Sequence, residues 1–137
     1  MFYVHDGVLL DPSVAPPQVF IETTGLAVDK HRLLLPARGS VQRWEADGTN
    51  IPESNTDPGT PDIYVIPDFT QQGGNILQIF VDLFNVRETN QRFGLKVEIH
   101  QADYQADVLF DEEGELGTEK GARTDVFGVF VPLKIMT

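Results

Sequence analysis

Three stretches in the second half of the chain alternate apolar and polar residues with a period of two, the spacing at which side chains on a strand share one face. Over 76–86, Leu77, Ile79, Val81 and Leu83 fall on one side and Gln78, Phe80, Asp82 and Phe84 on the other. Over 92–100, Phe93, Leu95, Val97 and Ile99 oppose Gly94, Lys96, Glu98 and His100. Over 126–135, Phe127, Val129, Val131, Leu133 and Ile135 form a third apolar row. Ile76, Phe80 and Phe84 are four apart and would also suit a buried helix, but β-branched and aromatic enrichment favours a strand there.

Shorter runs extend the pattern towards the N-terminus. Residues 2–5 and 8–10 flank Asp6-Gly7, a turn dipeptide that predicts a hairpin. Asp11-Pro12-Ser13-Val14-Ala15-Pro16-Pro17 lacks the amide hydrogens a sheet ladder needs and reads as an extended connection. Strands are expected at 18–22, 33–35, 41–45 and 62–69, with turns at Thr23-Thr24-Gly25 and Gly73-Gly74. Residues 107–110 and 115–116 flank Asp111-Glu112-Glu113-Gly114, a second expected hairpin. Residues 46–61 are rich in Pro, Gly, Asn and Asp and predict one long surface loop.

Roughly eight to ten short strands with turn residues between them describe an all-β fold. Clean one-sided alternation is the mark of antiparallel sheets, so the expectation is an antiparallel β-sandwich of jelly-roll or immunoglobulin-like type, with a small barrel as the alternative. The length of 137 residues suits one domain spanning 1–137.

Composition narrows the partners. Ten Lys and Arg stand against twenty-one Asp and Glu, a formal charge of −11. That balance argues against a nucleic-acid partner, which needs cations to displace phosphate counterions, and against an anionic membrane surface. The charge is concentrated: eight acids and no Lys or Arg lie between Glu98 and Glu119. There is no cysteine, which removes disulfides, thiolate catalysis and Cys-bound zinc. Met1–Asp6 lacks the cationic and apolar segments of a signal peptide, so a cytoplasmic protein, or one incorporated into an assembly, is expected.

Catalytic motifs do not emerge. His5, His31 and His100 are isolated in sequence and are expected at the surface. Ser13, Ser40 and Ser54 sit in Pro- and Gly-rich segments without a Gly-x-Ser-x-Gly elbow. Gly73-Gly74 and Gly114/Gly117 match no phosphate-binding pattern, and Asp82 and Glu98, expected on adjacent strands, face outward. No enzyme and no cofactor are expected. Asp111, Glu113 and Glu115 are the candidates for a calcium site, because sandwich loops can build one from scattered acids, although the spaced ligands of a helix-flanked calcium loop are missing.

The most informative irregularity is apolar residues on the wrong side of strands. Phe80, Phe84 and Val86 lie opposite the core row of 76–86, and Phe130 opposite that of 126–135. Outward phenylalanines on neighbouring strands leave an apolar patch, and such patches mark interfaces. The expected function is a non-catalytic structural or interaction domain: a homo-oligomeric subunit or decoration protein of a larger assembly, for example a virion or appendage. The alternative is a carbohydrate- or calcium-binding, lectin-like module, with Trp44, Tyr64 and Tyr104 as the aromatic surfaces for a sugar.

Overall fold

The computed structural model describes residues 1–36, 43–49, 62–66, 69–71, 73–101 and 105–137, with only the backbone described at 36, 43–49, 105 and 106. Ten strands occur among these residues: β1 (Phe2–Val4), β2 (Val8–Leu10), β3 (Gln18–Gly25), β4 (Val28–Pro36), β5 (Arg43–Thr49), β6 (Asp62–Val65), β7 (Ile76–Phe84), β8 (Gln91–Gln101), β9 (Gln105–Leu116) and β10 (Thr124–Ile135). The helical content of the described residues is one 3-10 turn at Phe69–Gln71, and no helix among them is long and apolar enough to cross a membrane.

The strands form two sheets. The first has the order β1-β10-β7-β4-β5, with β2 also pairing with β10; the second has the order β6-β3-β8-β9. Apart from β1 and β2, which run parallel to β10, every pairing is antiparallel. Neither sheet closes into a barrel among the described residues, so the chain is an all-β sandwich. The chain passes between layers at β2–β3, β3–β4, β5–β6, β6–β7, β7–β8 and β9–β10, and stays within a layer at β1–β2, β4–β5 and β8–β9.

The period-two rows become the core. Leu77, Ile79, Val81 and Leu83 of β7 meet Leu95, Val97 and Ile99 of β8 across the two layers, all at or near zero exposure. Ring contacts help close the sandwich: Phe93 lies edge-on to Phe127 at 5.7 Å, and Phe110 stacks on Phe127 at 6.2 Å and on Tyr3 at 5.4 Å.

Several local expectations are corrected. Residues 2–10 do not form a hairpin at Asp6-Gly7. Gly7 has the positive φ of 130° that such a turn uses, yet both flanking strands lie along β10. The reason is burial: beside β10, Val8 and Leu10 become nearly inaccessible, which a two-stranded hairpin by itself could not provide. Asp111–Gly114 is likewise not a turn but the middle of β9. Gly114 is needed because a Cβ there would come 2.7 Å from Phe93 Cζ. The strands carrying Asp82 and Glu98, expected to be adjacent, lie instead in opposite layers, with the apolar rows of both in the shared core. Of the loop expected at 46–61, residues 46–49 belong to β5; residues 50–61 lie outside the described residues.

Candidate functional site

Two arrangements among the described residues are candidates for a functional site: an aromatic surface on the outer face of the first sheet, and a polar cluster held between the sheets.

The aromatic surface is built by register. Phe2 of β1 pairs with Gly128 of β10, and Gly128 pairs with Phe80 of β7. Because Gly128 has no side chain, the rings on either side lean over bare backbone: a Cβ at Gly128 would lie 2.6 Å from Phe2 Cδ1 and 3.1 Å from Phe80 Cδ1. Phe80 is edge-on to Phe2 at 6.5 Å and to Phe130 at 6.0 Å. Val4, opposite Phe130, is 81% exposed, and Phe2 is 62% exposed; Ile76 extends the surface beside Pro132. Arg32 lies over the Phe80 ring at 5.9 Å.

Of the four residues expected to form this surface, the structure brings Phe80 and Phe130 together. Phe84 lies two outward positions from Phe80 along β7, with Asp82 between them, and is covered by the Lys30 ammonium at 5.6 Å. Val86 is 60% exposed beyond the end of β7. The residues that sequence reasoning missed are Phe2 and Val4, because a hairpin reading kept them away from β10.

The polar cluster centres on His31. Strand β4 carries the sequence Asp29-x-His31-x-Leu33-x-Leu35, so the same parity that sends the leucines into the core sends Asp29 and His31 there too. Both are about 1% exposed, which corrects the expectation of a surface His31. His31 Nε2 lies 2.5 Å from Asp29 Oδ2, which also accepts a 2.8 Å hydrogen bond from the Thr23 hydroxyl on β3. On the other side of the ring, Nδ1 is 2.9 Å from the Tyr64 hydroxyl and 3.7 Å from Asp62 Oδ2, both on β6. The network therefore crosses the sandwich twice, from β3 to β4 and from β4 to β6. It satisfies the rule that buried polar groups find partners; among the described residues no buried side-chain nitrogen or oxygen lacks one.

His5 and His100 are half-buried. His5 Nδ1 accepts from the Gly7 amide at 3.0 Å, and His100 packs on Phe20 at 4.2 Å with Nε2 3.3 Å from Glu98. Of the expected sugar-stacking aromatics, the described residues include the side chain of Tyr64. Tyr64 turns its hydroxyl inward to His31, while Tyr104 and the side chain of Trp44 lie outside the described residues.

The calcium candidates Asp111, Glu113 and Glu115 occupy alternate, exposed positions on β9, the edge strand of the second sheet. Glu115 is 3.8 Å from Arg92, and Asp111 is in register with Lys96. Glu113 and Glu115 border an open depression of about 550 Å³ whose lining includes Gly94 and Gly114. Charged side chains on an edge strand discourage strand-to-strand aggregation. Asp82 and Glu98 sit in different sheets, so they do not form a carboxylate pair.

One further pair joins the N-terminal strand to β9. The Tyr3 hydroxyl donates to Glu112, which holds the phenol proton and pushes the Tyr3 pKa up to about 12; burial and the charges of Glu112 and Asp125 act in the same direction.

No known protein family, characterised protein or solved structure matches this chain.

Proposed function

We propose that this chain is a non-catalytic interaction domain that self-associates through the outer face of its first sheet, as a subunit or decoration protein of a larger assembly. The observation that carries this reading is the run of Val4, Phe2, Phe80 and Phe130 across three adjacent strands, with Phe2 and Val4 more exposed than half. Packing three aromatic rings and a valine on the solvent side of a sheet is unfavourable in a monomer, at about 25 cal/mol for each Å² of apolar surface left in water. A second copy of the chain removes that surface from solvent by the simplest symmetry available. Among the described residues, the Arg32 and Lys30 side chains that overlie the rings add a polar rim.

The finer architecture we read as a Greek-key sandwich of the jelly-roll or immunoglobulin-like kind, supported by the six passages between layers.

The test is solution mass by light scattering for the wild-type chain, for Val4→Glu and for Phe80→Glu. Val4 is exposed, so its substitution leaves the core intact. The expected result is a folded, smaller species for both variants; an unchanged mass in a folded Val4→Glu or Phe80→Glu protein overturns the reading.

A further inference from the structure

The geometry points to a divalent transition-metal site on the Nδ1 side of His31, with His31, Asp62 and Tyr64 as ligands and Asp29 as the carboxylate that orients the ring. This is independent of the self-association surface, which lies on the outer side of the first sheet.

The imidazole divides the cluster. Asp29 sits at Nε2 at 2.5 Å and is itself fixed by Thr23 at 2.8 Å, so it keeps the Nε2 proton and directs the Nδ1 lone pair towards β6. A carboxylate on one ring nitrogen and a metal on the other is the recurrent arrangement for histidine ligands, because the carboxylate fixes tautomer and orientation and raises basicity at the metal-facing nitrogen. Asp29 and Asp62 cannot both join one ion with the ring, since they lie against opposite nitrogens. Asp62 and Tyr64 can. Their oxygens are 3.7 Å and 2.9 Å from Nδ1. An ion bonded at about 2.0–2.2 Å to each donor spans donor separations of roughly 2.9–4 Å for angles between about 90° and 135°.

The donor set is one imidazole, one carboxylate and one phenol oxygen, with no thiolate. Imidazole favours zinc and its transition-metal neighbours over calcium, so the class of ligand is Zn²⁺ or a similar ion. The protein supplies three ligands, and Asp62 retains 43% of its side-chain exposure, which gives water access to the remaining position. Ion binding breaks the hydrogen bond from the Tyr64 hydroxyl to Nδ1. The Tyr64 proton then passes to solvent as the oxygen turns to the ion.

The experiment is titration calorimetry of the full chain with Zn²⁺ alone, with circular dichroism on every variant. The expected result is one ion per chain, with at least about a tenfold loss of affinity in Asp62→Asn and in Tyr64→Phe, the scale seen when metal-site partners are removed. Both side chains are part-exposed, so their variants are expected to keep the fold where substitutions at His31 would disturb the core. Glu113→Gln serves as the control for ions gathered by the acidic strand and is expected to bind as the wild type does. Equal affinity in wild type and folded Asp62→Asn overturns the assignment. So does loss of binding in Glu113→Gln alone.

Discussion

Asp29→Ala is the substitution that tests the polar network most severely. Asp29 Oδ2 takes the Thr23 hydroxyl at 2.8 Å and faces His31 Nε2 at 2.5 Å, in a site about 1% exposed. Truncation leaves two buried donors facing a methyl group. Each orphaned donor costs about 1–3 kcal/mol, so a loss of about 2–6 kcal/mol is expected for the two. For a domain of this length roughly 3–5 °C accompanies each kcal/mol, which predicts a melting temperature about 6–30 °C lower. Thermal and urea unfolding followed by circular dichroism measure it, with Thr23→Val as the reference. That variant removes one hydrogen bond at nearly constant shape and should lose only about 1 kcal/mol. An Asp29→Ala protein that unfolds within about 1 kcal/mol of wild type would falsify the claim that these groups are buried and mutually satisfied.

Two further outcomes follow from close contacts and from Tyr3. Gly25→Ala places a Cβ 2.2 Å from the Arg92 carbonyl oxygen at a φ of +95°; strain and overpacking together predict a loss of roughly 2–5 kcal/mol by denaturant titration, and a loss near zero would contradict the backbone placement. Tyr3 should titrate near pH 12 by ultraviolet absorbance, and Glu112→Gln should bring it back towards its ordinary value of 10. The sign follows from the folded state holding the phenol proton more tightly than the unfolded state. The stabilisation is complete below about pH 10 and is lost as pH rises towards about 12. A Tyr3 titration unaffected by Glu112→Gln contradicts the contact.

What the sequence made legible was whatever parity alone decides. The rows at Leu77–Leu83, Phe93–Ile99 and Phe127–Leu133 are interior in the structure, because period two on a half-buried strand leaves few alternatives. Partner choice is not encoded in parity. Asp6-Gly7 carries a sound turn signal, but the edge of β10 buries Val8 and Leu10 better than a hairpin does, and tertiary packing overrides the local preference. Gly114 looked like a turn residue and is instead the gap that admits the Phe93 ring.

The polar cluster was hidden for a different reason. Asp29-Lys30-His31-Arg32 reads as a solvated run, and only its parity with Leu33 and Leu35 marks Asp29 and His31 as inward. Thr23 and Tyr64, which make that burial tolerable, come from β3 and β6 in the other sheet, and no short-range pattern joins them. The aromatic surface was half legible: Phe80 and Phe130 stand out by parity, whereas Phe2 joins them only through the parallel pairing of β1 with β10.

Sedimentation of the wild-type chain across a range of concentrations bears most directly on the claim that the outer aromatic face is an interface. The account predicts a species at least twice the mass of one chain, dissociating when Val4→Glu is introduced. A wild-type protein that stays at single-chain mass at every concentration up to about 100 μM, a level at which even micromolar contacts are populated, contradicts it.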